Sequence, residues 1–113
     1  MKTIELFKTL SNETRLRIVN LLLQNKLCVC QIEQVLDMKQ VNISRQLIVL
    51  RESGIVKCFK INQWVYYEIN LDEEYVEILH SFIEKVGDTT LADDIKTLNN
   101  LTSKQKLVCS DKL

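Results

Sequence analysis

The run LCVCQIEQVLDMKQVNISRQLIVLRESGIV, residues 27–56, decides the fold. Ile32, Val35 and Leu36 recur at helical spacing and predict a short helix over residues 29–36. Residues 37–41 read as a polar turn. Ile43, Leu47 and Leu50 then fall at i, i+4 and i+7, which places them on the buried face of a second helix. Gly54 stops that helix at the C′ position, where a left-handed residue costs glycine little. Beyond it the pattern changes. Residues 55–61 and 64–69 are rich in β-branched and aromatic side chains, and Asn62-Gln63 joins them as a hairpin. Tandem helices, a sharp stop and a hairpin make a helix-turn-helix with a wing.

The flanks complete the unit. Ile4, Phe7 and Leu10 suggest a first helix ending near Ser11. Ser11 or Asn12 caps a second, whose stripe is Leu16, Val19, Leu22 and Leu23 with Ile18 beside it. After the hairpin, Tyr75, Val76, Leu79, Phe82, Ile83 and Val86 fit a helix ending at Gly87. The expected class is mainly α with a small β-hairpin, in the order α-α-α-α-β-β-α. Residues 1–87 form the DNA-binding and dimerisation domain in this reading. Residues 88–113 form a C-terminal extension, with a weak helix over 91–101 and a mobile tail. The first and fifth helices carry more apolar surface than a small core absorbs. Facing a second copy would bury it, so a twofold homodimer is expected, matching a palindromic duplex.

Composition agrees with such a chain. Its 113 residues include no proline and two glycines, few for a sheet-rich fold. With 46% hydrophobic and 27% charged residues, it is ordinary for a folded domain and wrong for disorder. No stretch is apolar enough to span a membrane, and a cytoplasmic location is expected. Thiols stay reduced there, so the four cysteines read as free thiols or ligands before disulfides. Net charge is zero, but residues 39–70 carry five basic and two acidic groups, whereas residues 71–113 carry five and nine. A local basic surface can bind phosphate even on a neutral chain.

Gln40, Asn42, Ser44, Arg45 and Gln46 lie on the polar side of the fourth helix, the expected recognition helix in the major groove. Arg pairs with guanine, Gln and Asn with adenine, and Ser with phosphate or base. Lys60 on the wing is expected to contact backbone phosphate. Such a face alone describes any amphipathic helix; the adjoining turn, stop and hairpin give it its meaning.

Cys28 and Cys30 open the third helix. Two cysteines two apart are often small buried hydrophobes, but a helix N-terminus favours thiolate, and thiolates select soft, thiophilic ions. In a regular helix, residues i and i+2 do not share a face, so joining both sulfurs to one ion requires the first turn to open. The strings LSNETRLRIVNLL (residues 10–22), LCVC, ISRQLIVLRESGIV and WVYYEI resemble the ArsR/SmtB winged-helix metalloregulators, particularly the arsenite- and antimonite-responsive branch. The resemblance implies a homodimeric repressor, not an enzyme, that leaves double-stranded operator DNA when the metalloid binds Cys28 and Cys30. No cofactor is permanently held; arsenite or antimonite is the inducer. Members of this branch have a third cysteine where Glu33 stands, so a small cellular thiol or hydroxide is expected to complete the coordination. His80 is alone where zinc-sensing relatives have paired ligands. Cys58 reads as an exposed bystander and Cys109 as a thiol in the tail. The same cysteine pair would serve a thiol-redox-sensing repressor. A thiol oxidoreductase is a third reading, which needs a CxxC motif near a βαβ unit that this sequence lacks; an insulin disulfide-reduction assay would settle it. A constitutive DNA binder would ignore metalloids altogether.

Overall fold

The computed structural model describes residues 3–104 and Leu107. Six helices surround one small sheet: α1 (Thr3–Leu10), α2 (Glu13–Leu22), β1 (Leu27–Cys28), α3 (Val29–Leu36), α4 (Gln40–Glu52), β2 (Val56–Ile61), β3 (Trp64–Ile69), α5 (Glu73–Val86) and α6 (Thr89–Ser103). No helix among the described residues is long and apolar enough to cross a membrane.

Local chemistry accounts for the boundaries. Asn12 caps α2, its side chain accepting from the Arg15 N–H at 3.0 Å. Asp37 closes α3 in the left-handed conformation, with φ 54°. Gly54, at φ 86°, donates to the Arg51 carbonyl while Ile55 donates to that of Leu50; this paired C-terminal lock ends α4 and aims the chain into the wing. In the hairpin, Ile61 faces Trp64, and Asn62 supplies the positive φ that the two-residue turn requires.

The sheet has a strand that the sequence reading lacks. Leu27 and Cys28 pair antiparallel with Tyr67 and Tyr66, giving the order β1-β3-β2. Two residues carry no periodicity, so this element was invisible as pattern. The core is built from Ile18, Leu21, Leu27, Ile32, Ile43, Leu47, Leu50 and Ile55, all fully buried. The expected faces of α3 and α4 are those observed.

The two flanking helices leave part of their apolar faces open. In α1 the buried residues are Leu6 and Leu10, while Ile4 and Phe7 are 70% and 61% exposed. In α5 only Leu79 is buried; Ile78, Phe82 and Val86 are open. The two helices thus leave an apolar surface uncovered, in line with the excess of apolar residues read on them.

The final helix is also longer than expected, and it packs against α2 and α3. Asp88 caps it by accepting from the Leu91 N–H at 3.0 Å. The two buried polar residues of the core sit at its contact with α2. Asn20 donates to the Leu91 carbonyl at 3.1 Å, and Asp94 takes both Nε and Nη2 of Arg17, at 2.8 and 2.9 Å. The Asp94 bonds raise the Arg17 pKa further, fixing the guanidinium as a cation. Thr102 and Ser103, assigned to the tail by sequence, are helical, and Cys109 lies outside the described residues.

Such a pair costs most when half of it is removed. Asp94→Asn is expected to lower unfolding stability by about 2–4 kcal/mol, and Arg17→Met with Asp94→Leu to recover most of that loss. Urea unfolding of both variants at one protein concentration checks this; a double variant no more stable than Asp94→Asn would show that the pair is not what anchors α6.

Candidate thiol site and nucleic-acid interface

The strand β1 determines the thiol geometry. Pairing with Tyr66 holds Cys28 extended, at φ −91° and ψ 169°, so it is the N-cap of α3 and not part of the helix. Gln31, three residues on, reaches back with Oε1 to accept from the Cys28 backbone N–H at 3.0 Å, one half of a capping box. Cys30 stands at the second helical position. Because one residue is strand and the other helix, the rule that separates i and i+2 does not apply. The two Sγ atoms are 3.1 Å apart. The first turn of α3 therefore need not open to bring them together, contrary to the sequence reading.

Such a pair can hold one ion. Thiolates about 2.3 Å from a centre, with bond angles near 90–110°, stand about 3.3–3.8 Å apart, a few tenths of an ångström from the observed spacing. Cys28 is buried and Cys30 half-buried, and neither is in a disulfide. Glu33 does not join them, since no group of three His, Cys, Asp or Glu among the described residues could hold a metal. His80 lines a different cleft, with Asn20, Gln24 and Glu84. Cys58 faces Tyr67 on the wing and is half-buried, not exposed; Nη1 of Arg51 lies 3.7 Å from its sulfur, and this contact raises the Arg51 pKa.

The recognition helix splits its predicted residues between two sides. Gln40, Ser44 and Arg45 share an open face with Val41 and Ile48. Asn42 and Gln46 lie on the inner flank. Asn42 directs its amide to Met38 Sδ at 3.8 Å, and Gln46 Oε1 accepts from Arg15 Nη1 at 2.9 Å. Arg15 also donates from Nε to the Thr9 carbonyl at 2.6 Å, tying the end of α1 to α4. Sequence reading missed Arg15 because its partner lies 31 residues away. It also missed Val41 and Ile48, which are 68% and 47% exposed and suited to a thymine methyl. Lys60 is exposed one pair from the hairpin tip, whereas Lys57 is held by Glu68 at 3.5 Å.

Comparison with known proteins agrees with this geometry. Residues 12–57 match the family described as "Bacterial regulatory protein, arsR family". The chain is 48% identical over 68 residues to the arsenical resistance operon repressor of Escherichia coli K12, covering 59% of this chain and 58% of that protein. It is 34% identical over 104 residues to the arsenic resistance transcriptional regulator ArsR2 of Pseudomonas putida KT2440, covering 88% of this chain and 89% of that one. The homodimeric winged helix-turn-helix DNA-binding domain of Mb0332 from Mycobacterium bovis, a possible ArsR-family regulator, superposes with a TM-score of 0.64 at 27% identity, over 78% of this chain and 80% of that one.

The open face and the inner flank should behave differently. Arg45→Ala is expected to weaken binding to a duplex selected from random sequence by about 1–3 kcal/mol, and Lys60→Ala to cost less while flattening the salt dependence. Anisotropy titrations at several salt concentrations measure both. Unchanged specific affinity for Arg45→Ala would displace the reading face from this side of α4.

Proposed function

The chain belongs to the ArsR family of bacterial regulatory proteins, and from that premise we propose that it is a metalloid-responsive repressor, not an enzyme. It sits on operator DNA in the cytoplasm as a homodimer and leaves when arsenite or antimonite binds the thiolates of Cys28 and Cys30. The observation that carries this reading is the 3.1 Å separation of the Cys28 and Cys30 sulfurs, not joined as a disulfide, at the start of α3. The names of the two relatives point the same way, although the better match spans only 58% of its partner's length.

The route from thiol to DNA is short. Helix α3 packs on α4, which carries Gln40, Ser44 and Arg45, and β1 pairs with β3 of the wing. An ion that spreads the sulfurs and takes over the N-cap shifts the first turn of α3 against both. The metalloid then favours a conformer that fits the operator less well, and release follows from differential affinity between two states. Two sulfurs come from the protein, and a small cellular thiol or hydroxide completes the coordination.

Dimerisation uses the surface left open on α1 and α5. Ile4 and Phe7 lie one turn apart, and Ile78, Phe82 and Val86 follow at successive turns. A dimer that reads a palindromic operator needs its two recognition helices about 34 Å apart, on successive major-groove faces.

The close sulfurs also suit a redox sensor, in which an oxidant joins them as a disulfide. Arsenite and peroxide, compared under matched conditions, separate the two readings: release by peroxide alone favours the redox sensor.

Cys28→Ser and Cys30→Ser are expected to fold, dimerise and bind operator, yet to hold it in the presence of arsenite. An arsenite-responsive Cys30→Ser protein would remove the pair from the sensor. Phe82→Asp is expected to yield monomers by light scattering and to lose operator binding; a stable dimer would place the interface elsewhere.

A further inference from the structure

Two branched apolar side chains stand open on α4, Val41 at 68% and Ile48 at 47% exposure. Seven residues at about 100° each bring Ile48 to within about 20° of Val41, two turns further along the helix. Arg45 stands between them, about 40° around from Val41, and Ser44 flanks the same stripe. These four residues and Gln40 line one shallow concavity, and all five belong to α4. A single apolar residue on a surface needs no explanation. Two on one stripe, with an arginine between them, form a pattern.

The rest of the helix sets this stripe apart. Ile43, Leu47 and Leu50 take the core face completely, so the protomer's own core does not call on Val41 or Ile48. Asn42 and Gln46 are turned to Met38 and Arg15. Neither α1 nor α5 contributes to the concavity, so it is separate from the apolar surface assigned to dimerisation.

A major groove displays one apolar group, the 5-methyl of thymine. Val41 and Ile48 are about 10.5 Å apart along the helix, and stacked base pairs rise by about 3.4 Å. Two methyl groups separated by two or three base-pair steps therefore meet both side chains. Arg45 then falls opposite an intervening pair, where guanine offers O6 and N7 together. Glu52, one turn beyond Ile48, is an exposed anion that backbone phosphate repels, so the reading stretch ends at Ile48.

We propose that Val41 and Ile48 are specificity-determining residues, each packing on the 5-methyl group of a thymine. The operator half-site then carries two T·A pairs, on either strand, two or three steps apart with a G·C pair between them. The inference rests on the operator-binding reading above and adds what the open face of α4 reads. It asks nothing of the cysteine pair. A methyl contact displaces no counterion, so the discrimination made by Val41 and Ile48 is independent of salt.

The test uses the full-length protein and a duplex selected from random sequence. Each thymine of one half-site is replaced in turn by deoxyuridine, which keeps every hydrogen-bonding group of the base and lacks only the methyl. Two of these replacements are expected to weaken binding by about threefold to fivefold each, which is what burying about one methyl group is worth. The slope of log K against log salt should stay unchanged. Val41→Ala is expected to bind the parent duplex less well by a similar factor and to lose the response to one of the two replacements. Ile48→Ala should lose the response to the other. Both positions are exposed and alanine is the better helix former, so the circular dichroism melts should not fall. A selected half-site with no two T·A pairs at that spacing would overturn the proposal. So would wild-type protein that binds every deoxyuridine duplex as tightly as the parent, although α4 could still read the groove by hydrogen bonds. Full deoxyuridine sensitivity in both alanine variants would also overturn it, by placing the methyl effect on other residues or in the shape of the duplex. A wild-type protein that selects no duplex would remove the operator-binding reading and this one with it.

Discussion

The pairing of Leu27 and Cys28 with Tyr67 and Tyr66 fixes where α3 begins, and the thiol geometry depends on it. A residue hydrogen-bonded into a sheet cannot also be helical, so Cys28 is held at the cap and the first helical residue is Val29. Had the helix begun one turn earlier, Cys28 and Cys30 would differ by about 200° around its axis and their sulfurs would diverge. The strand is short, but its cost is shared. Leu27 is a fully buried core residue, and Gln31 returns a hydrogen bond to the cap. A local device of two residues is thus anchored by the global core.

The same strand makes the site a junction. Through α3 it leans on the recognition helix, through β3 on the wing, and α6 closes over α2 and α3 behind it. Close-packed elements of this kind do not deform smoothly; a shift in one is passed to its neighbours as a change of packing. The wing and the recognition helix are the two parts of the proposed DNA interface, and β1 with α3 touches both. Arg15 adds a second link, from the end of α1 to Gln46 on α4. The open α1 surface and the reading helix are therefore mechanically connected without passing through the thiols.

Most of the central fold was legible because its signals are periodic or conformational. Ile32, Val35, Leu36, Ile43, Leu47 and Leu50 repeat at helical spacing, and Gly54 and Asn62 mark positive φ. What escaped has no such signature. Strand β1 is too short for periodicity, and its partners, Tyr67 and Tyr66, lie far along the chain. For Phe7, Phe82 and Val86, apolar spacing showed an apolar face but not which of its residues the protomer's own core would take. Helix α6 looked weak because two of its anchors are polar, and Asp94 and the Leu91 carbonyl gain their value only from Arg17 and Asn20 on α2. In the candidate site, the residues of the CxC pair were legible, but their spacing in space was not. On α4, residue type could not separate Arg45, on the open face, from Gln46, turned inward to Arg15.

Charge placement sharpens how such a protein could hold DNA and still let go. The chain is neutral, and several of its cations make contacts within the protein. Arg17 is tied to Asp94, Arg15 to Thr9 and Gln46, Lys57 to Glu68, and Arg51 leans on Cys58. In the basic central stretch this leaves Lys39, Arg45 and Lys60, about six cations in a dimer, for a salt slope near about −5 on a duplex. Non-specific attraction is then modest, and a larger share of operator affinity must come from contacts to base edges and from two half-sites being met together. Contacts of that kind depend on position far more steeply than long-range charge does. On the proposed mechanism, a small displacement of α4 would therefore cost this protein more of its operator affinity than it would cost a highly basic binder.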